Sequence, residues 1–114
     1  MSYIFECDDK TVWSPALRVG TLYVTLADAL AVVVSVPHGM AAMASDFYEV
    51  DRDKFADFVT ALRAWSPVGH AVGDALLGGF LTTSLVLLER MGVALEVDAG
   101  TRAAVAALAR SMAV

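Results

Sequence analysis

The sequence predicts an α+β fold, with four helices around a central buried helix at about residues 67–91 and a small antiparallel sheet of two or three strands. Short aromatic and β-branched runs flank a polar turn near the start of the chain. Serine-proline pairs precede two helical patterns, and one of these stretches is apolar on nearly every side. The 114 residues are the size of one ordinary domain, so we predict a single globular domain over residues 1–114.

The predicted strands occupy three short segments. YIFEC (3–7) and TVW (11–13) lie on either side of DDK (8–10), which is typical of a β-hairpin with a polar turn. FYEV (47–50) combines aromatic and β-branched residues, so we expect it to add a strand to the hairpin. The segment PHGMAAMASD (37–46) is predicted to be a loop, with a short helical turn as the alternative.

Capping signals locate the first two helices. Ser14-Pro15 has the pattern of an N-cap followed by proline at the first helical position, which predicts a helix over about 15–34. The β-branched residues at its end favour fraying or a strand-like end. Asp51 is predicted to cap a second helix over about 52–65. One face of that helix is apolar at helical spacing: Phe55, Phe58, Val59 and Leu62.

The long helix is predicted over about 67–91, because Ser66-Pro67 repeats the cap signal and Gly92 has the position of a C′ glycine. A last alanine-rich helix is predicted at about 101–112. Gly78-Gly79 lowers the helix propensity of the long helix by roughly 1–2 kcal/mol. We therefore expect a close helix crossing, within the chain or across a dimer. Small residues recur along this helix every fourth position: Gly69 and Gly73, then Ala71, Ala75, Gly79 and Thr83.

Charge and composition exclude several classes of protein. The net charge of −5 repels phosphates, so we expect no nucleic-acid partner and favour a basic protein partner. The hydrophobic fraction of 58% exceeds the roughly 45–50% of soluble domains, which indicates contact with a membrane, with a partner or with a second copy, and of these we favour a homo-oligomer. Cys7 is the only cysteine, so an intrachain disulfide is excluded. Residues 1–14 lack the pattern of a signal peptide, which predicts a cytoplasmic protein.

The long apolar helix is too short, in our interpretation, to be a membrane span. Fourteen uncharged residues separate Asp74 from Glu89 and cover about 21 Å, less than the roughly 30 Å of a hydrocarbon core. Extending the span toward Pro67 would place Asp74 and His70 in the membrane, at a cost of about 2.5–3.5 kcal/mol for the aspartate alone. The sequence therefore predicts no membrane association.

Three polar residues are candidates for a catalytic or ligand-binding pocket. His70 and Asp74 are four residues apart on one helix face, where they could orient a general base or a metal. Asp28 lies among apolar residues of the first helix. The alternative is a polar helix end at His70 and Asp74, and a solvent-facing Asp28. No nucleophile elbow or phosphate loop is present, so we assign no catalytic residue and expect no metal and no cofactor.

Acidic residues concentrate in two segments that the predicted sheet brings together. Residues 45–58 contain five acids, and Glu6, Asp8 and Asp9 add three more. Aromatic side chains among acids suit the binding of a basic protein, whereas acids in a first helical turn are also favourable without any partner. We name five candidate partner-binding residues: Trp13, Asp46, Tyr48, Glu49 and Asp51.

Several motifs occur together in the order and spacing of a known group of proteins: TVWSPA (11–16), LYVTLADAL (22–30), PHGMAAM (37–43), FYEVDRDKFADFVTAL (47–62) and GHAVGDALLGGFLTTSLVLLERMG (69–92). Over about residues 3–92 the chain resembles a family of small actinobacterial proteins of unknown function. The resemblance implies a single-domain protein. It transfers no functional residue, because its motifs are packing signals.

Three functions follow from the sequence. The leading hypothesis is a non-enzymatic protein-binding module, such as an immunity protein or antitoxin that blocks a basic toxin enzyme through an acidic surface. The second is a small enzyme or ligand-binding protein with a pocket near Asp28, His70 and Asp74. The third is a homo-oligomeric structural protein that buries its excess apolar surface against a second copy.

Overall fold

Within residues 2–66 and 70–114, which the computed structural model describes, the chain forms an α+β fold with one four-stranded sheet and four helices. The strands are β1 (Ile4–Cys7), β2 (Lys10–Trp13), β3 (Met40–Ala44) and β4 (Phe47–Val50). The helices are α1 (Leu17–Val34), α2 (Arg52–Trp65), α3 (Ala71–Arg90) and α4 (Ala99–Ala109).

The sheet is mixed, with the strand order β2-β1-β4-β3. β1 and β2 form the predicted antiparallel hairpin, which turns through Asp8 and Asp9 with positive φ angles, as a type I′ turn requires. β4 pairs antiparallel with β3 but parallel with β1. The prediction of a two- or three-stranded antiparallel sheet is therefore wrong in strand number and in one strand direction.

β3 lies in the segment that was predicted to be a loop. Its sequence, MAAMA, lacks the aromatic and β-branched residues that mark strands, and alanine favours helices. Antiparallel pairing with β4 overrides this local preference, because the sequence of β4 already has a strong strand pattern.

The observed start of α1 differs from the predicted one, whereas the cap predicted for α2 is present. α1 begins at Leu17 with Ala16 as its N-cap, which makes no side-chain capping bond, so the Ser14-Pro15 cap is wrong. Asp51 does cap α2, because its side chain accepts a hydrogen bond from the Lys54 N–H. α3 begins at Ala71, capped by His70, while the predicted start at Pro67 lies outside the described residues.

A residue in the left-handed backbone conformation ends each of the two long helices, α1 and α3. Gly92 follows α3 with a φ of 83°, and the Val93 N–H donates to the Leu88 carbonyl, as in a Schellman motif. α1 ends in the same way at Ser35, whose φ is 56°, and the Val36 N–H donates to the Ala31 carbonyl. α1 is helical through Val34, and this motif satisfies its terminal carbonyls.

Replacing Ser35 by glycine is expected to stabilise the protein by about 1 kcal/mol. The left-handed conformation costs an L-residue roughly 1–2 kcal/mol, which glycine avoids, although glycine gains more entropy in the unfolded chain. Urea unfolding of Ser35→Gly should show a higher midpoint than the wild type. Ser35→Ala serves as the control and should not raise the midpoint.

Aromatic side chains join the sheet to the helices. Phe5 of β1 is fully buried and stacks on Trp13 at 5.4 Å between ring centroids, and it meets the ring of Tyr23 edge-on. Tyr23 of α1 in turn stacks on Phe80 of α3 at 4.9 Å. The helices therefore pack on the sheet face that carries Phe5. The apolar face predicted for α2 is buried in the same core.

Burial of α3 on all sides is limited to its second half. Five consecutive residues, 84–88, are buried, and Ser84 satisfies its hydroxyl by donating to the Phe80 carbonyl and accepting from Tyr23. In the first half, Val72 and Leu76 are exposed. A Cβ atom built on Gly78 or Gly79 would meet no atom within 4 Å, so these glycines serve no close crossing among the described residues.

Length and composition alone would allow two helices, α1 and α3, to cross a membrane. About 22% of the apolar window of α1 and 39% of that of α3 are buried. Core helices of globular proteins share the same length and composition, so these features agree with either environment. The cytoplasmic location stays a prediction.

Candidate partner-binding site

A groove with a volume of about 700 Å³ opens where the β1–β2 turn, the end of α1, the end of β4 and the start of α2 meet. We call it the acidic groove. Five carboxylates line it, against the two cations Arg52 and Lys54. The carboxylates belong to Asp8, Asp28, Glu49, Asp51 and Asp53.

Local folding brings these acids together. The parallel pairing of β1 with β4 places the Asp8 turn beside the end of β4. Asp51 then turns the chain into α2 by capping it, so Asp53 falls in the first helical turn, where the helix dipole favours a negative charge. The loop after α1 carries His38 back to Asp28. The groove therefore depends on the parallel pairing of β1 with β4. The alternation of residues along a strand does not show whether two strands pair parallel or antiparallel.

The five carboxylates differ in how far they are already neutralised. Asp8 forms an exposed ion pair with Arg52 at 2.5 Å, and Asp28 bonds to His38 at 2.7 Å. Asp51 uses one oxygen for the cap of α2. Glu49 and Asp53 are exposed and make no side-chain hydrogen bond or ion pair with the rest of the described chain. These two carboxylates are available to a partner.

A second carboxylate lies directly beside Glu49. Glu6 of β1 is the register partner of Glu49 across the parallel pair, so both side chains leave the same face of the sheet, opposite to Phe5. Like charges on neighbouring strands repel each other and destabilise the pair. A bound cationic side chain would relieve this repulsion.

Two hydrogen bonds define the tautomer of the neutral His38 ring. The Met40 N–H donates to His38 Nδ1 at 2.9 Å, so the neutral ring must carry its proton on Nε2 and donate it to Asp28. Both ring nitrogens are thus engaged within the protein. In this geometry neither nitrogen is free to act as a general base or to ligate a metal.

The predicted pocket residues separate into two places. Asp28 lies in the acidic groove, whereas His70 caps α3 by accepting a hydrogen bond from the Gly73 N–H at 3.1 Å. Asp74 follows in the first turn of α3 and is exposed. Neither His70 nor Asp74 lines the acidic groove. In the described part of the chain, no three acidic, histidine or cysteine side chains converge as a metal site would require.

The predicted partner-binding residues also differ in accessibility. Glu49 and Asp51 line the acidic groove, and Asp46 lies half-buried at the turn between β3 and β4. Trp13 is only 5% exposed, so its indole belongs to the core and not to an acidic surface. Tyr48 stacks on Tyr3 at 5.8 Å.

Two side chains near the acidic groove have raised pKa values. Burial, and after it the neighbouring Tyr3 and Asp28, raises the pKa of the Tyr48 hydroxyl. Burial, and after it the carboxylate of Asp8, raises the pKa of the Cys7 thiol. Because a thiol with a raised pKa forms less thiolate, Cys7 has the character of a packing residue and not of a nucleophile.

Of the acidic and histidine side chains that line the acidic groove, three were not among the sequence candidates: Asp8, His38 and Asp53. Asp8 and Asp53 were counted among the clustered acids but were not selected, since nothing in the local pattern separates them from solvated charges. His38 lies in the segment 37–46, which was predicted only as a loop.

The fold and its groove define a small α+β protein whose helices pack on one face of a mixed sheet. The chain belongs to a family of unknown function, DUF6086, whose model matches residues 1–114. The match includes α4, which the resemblance seen in the sequence did not cover. No curated protein and no solved structure gives a significant match to the chain.

Proposed function

We propose that this protein is a non-enzymatic protein-binding module that takes a basic segment of another protein into the acidic groove. The observation that carries the proposal is the convergence of five carboxylates on one groove that holds only two cations. Glu49 and Asp53 would make the first contacts, because they are exposed and not already paired with a described residue.

Electrostatics supports a basic partner in two ways. The whole chain carries a net charge of −5, which attracts positively charged proteins over long distances and raises their rate of association. The groove adds local specificity, because arginine can bond carboxylates through two parallel hydrogen bonds. Such binding should weaken as the salt concentration rises.

The class of partner that we favour is a basic enzyme, so the protein would act as an immunity protein or antitoxin in the cytoplasm. A small acidic domain that covers a basic active site needs no catalytic residue of its own. This assignment rests on the charge and size of the module and is an analogy at the level of protein class.

An enzymatic role has less support from the geometry. The proposed pocket would need Asp28, His70 and Asp74 to act together. Asp28 is bonded to His38 and His70 to the backbone of α3. A general base must lie within about 2.6–3.2 Å of the proton that it removes, or one water away. The described contacts join none of these three side chains to another.

The test is a pull-down with the purified product of the neighbouring gene, followed by titration calorimetry. Reversing the charge in Glu49→Lys and in Asp53→Lys should each weaken binding at least about tenfold, because attraction becomes repulsion. Asp57→Lys is the matched control, since Asp57 is exposed on α2 one turn after Asp53 and lies outside the groove. Equal binding by all three variants would refute the proposal.

A further inference from the structure

β3 lies at one edge of the sheet and pairs with β4 alone among the described strands. A strand in this position presents backbone N–H and C=O groups that can pair with another chain. Proteins usually block such an edge with lysine or proline, or cover it with another element. The sequence of β3, MAAMA, contains neither residue type, and residues 41–44 are exposed, Met43 by 61%. β3 therefore offers an open edge.

The opposite edge of the same sheet is closed. β2 is the last strand on that side, and its Val12 carbonyl accepts a hydrogen bond from Arg90 of α3. The Ser14 N–H, just after β2, donates to the Ala113 carbonyl at 2.8 Å. The chain thus satisfies backbone groups at the β2 edge with its own later segments. The open edge is the one beside the acidic groove, since the first residues of β3 line that groove.

The pairing of β3 with β4 shows which backbone groups point away from the sheet. The Asp51 N–H donates to the Gly39 carbonyl at 2.8 Å. This bond flanks the register pair of Met40 and Val50, which is therefore a non-hydrogen-bonded pair of the ladder. Such pairs alternate with hydrogen-bonded ones. Ala42, two residues further along β3, therefore also directs its N–H and C=O away from β4.

His38 occupies one position of this open edge. The Met40 N–H donates to His38 Nδ1 at 2.9 Å, so this donor is already satisfied. The Met40 carbonyl and both backbone groups of Ala42 have no hydrogen-bond partner among the described residues. The register shifts between Ala42 and Ala44, so the regular part of the edge is the first half of β3. One donor and two acceptors are available there to an added strand.

The outer face of the sheet, opposite Phe5, carries negative charge up to this edge. Ala41 is the register partner of Glu49, and Glu49 is the register partner of Glu6. A strand added to β3 would extend this row by one residue. Neighbouring strands lie about 4.8 Å apart, and the small Ala41 side chain leaves the space above it open. An extended arginine or lysine of the added strand could therefore reach Glu49 across Ala41.

The helix-bearing face of the sheet carries a carboxylate beside the same edge. His38, just before β3, holds the carboxylate of Asp28 on α1 at 2.7 Å, and the Asp28 side chain is 65% exposed. Successive side chains of a strand point to opposite faces of the sheet. Two adjacent cationic residues of an added strand would therefore face Glu49 on one side and Asp28 on the other.

Charge selects the occupant of the edge. Two copies of β3 could in principle pair with each other, but such a pair would bring two acidic grooves together. Each chain also carries a net charge of −5, so the copies repel each other. A basic segment meets attraction at the same place.

We infer that a basic segment of the partner binds in an extended conformation as a fifth strand on β3. Its main chain bonds to Ala42 and to the Met40 carbonyl, and its arginine or lysine side chains face Glu49 and Asp28. Strand addition takes affinity from main-chain hydrogen bonds and specificity from alternate side chains. The inference rests on the proposed function, because it names the conformation in which the acidic groove takes its partner.

The probe is a short threonine-rich peptide with a central run of arginines, titrated by calorimetry. The same peptide with N-methyl groups on its backbone nitrogens keeps the charge and loses the donors, so it should bind at least about tenfold more weakly. Ala42→Pro should also weaken the unmodified peptide at least about tenfold. Proline is tolerated in an edge strand where its missing N–H faces solvent, and circular dichroism checks the fold. Ala42→Val keeps the N–H and is the control, which should bind like the wild type.

Hydrogen exchange of the Ala42 amide, measured by NMR on the wild type, gives a second readout. This amide should exchange fast in the free protein and slowly when the peptide is bound. Equal binding of both peptides, with a loss in Glu49→Lys, would overturn strand addition and leave the acidic groove as the binding site. Binding that Glu49→Lys does not change would overturn the proposed function itself. Slow exchange of Ala42 in the protein alone at high concentration would overturn the inference in favour of a second copy.

Discussion

Replacing Phe5 by alanine is expected to lower the free energy of unfolding by about 3–5 kcal/mol, the usual cost of emptying a buried phenylalanine site. Phe5 is fully buried and contacts the rings of Tyr3, Trp13, Tyr23 and Tyr48. Its removal would leave a cavity that these rigid rings cannot close without leaving their own positions. Domains of this size are stable by only about 5–15 kcal/mol, so a large part of the native state would be lost.

Urea unfolding followed by circular dichroism and by tryptophan fluorescence measures this effect. Ile4→Ala is the matched control, because Ile4 is the next residue of β1, points to the other face of the sheet and is half-buried. We expect it to cost about 1 kcal/mol. If both variants lost the same free energy of unfolding, the conclusion that Phe5 lies on the sheet face covered by the helices would be contradicted.

Replacing Arg90 by methionine is expected to cost roughly 3 kcal/mol, because the guanidinium makes three charge-assisted hydrogen bonds to backbone carbonyls. Arg90 donates to the Val12 carbonyl at 2.8 Å and to those of Ala109 and Met112 at 3.1 and 2.7 Å. It thereby ties α3 to β2 and to the end of α4. Methionine keeps the apolar stem and removes the donors, so the loss reports the hydrogen bonds.

Hydrogen exchange distinguishes this role from a general loss of stability. In Arg90→Met, the amides of α4 should exchange faster than those of α2, since α4 loses its polar attachment first. Arg110→Met is the control, because Arg110 is exposed at the end of α4. A loss below 1 kcal/mol for Arg90→Met, or uniform exchange in all helices, would show that Arg90 is not the link between these elements.

The helices were largely predictable because their signals are local. Asp51 caps α2, as its position in the sequence predicts. Gly92 ends α3 in a left-handed conformation, as its position after the last helical residues predicts. The start of α1 was missed because Ser14 and Pro15 are held by long-range backbone bonds. The Ser14 N–H donates to the Ala113 carbonyl, and the Pro15 carbonyl accepts from Tyr3. The sequence alone does not show that residues with a capping pattern form hydrogen bonds with distant parts of the chain instead.

The sheet and the acidic groove were only partly predictable, because both depend on pairing across the chain. The residues of β3 carry no strand signal, and the parallel direction of β1 and β4 has no signature in alternation. The clustering of acids in two segments was visible, and Glu49 and Asp51 were selected. The contact of Asp28 with His38 was not visible, because it depends on the path of the loop after α1.

Selection of peptides from a random display library tests the central claim most directly, because it needs no knowledge of the natural partner. The wild type should enrich peptides rich in arginine and lysine. These peptides should bind Asp57→Lys as well as the wild type, lose at least about tenfold in affinity for the double variant Glu49→Lys/Asp53→Lys, and weaken with salt. Enrichment of uncharged or acidic peptides, or unchanged binding to the double variant, would contradict the assignment of the acidic groove as the partner-binding site.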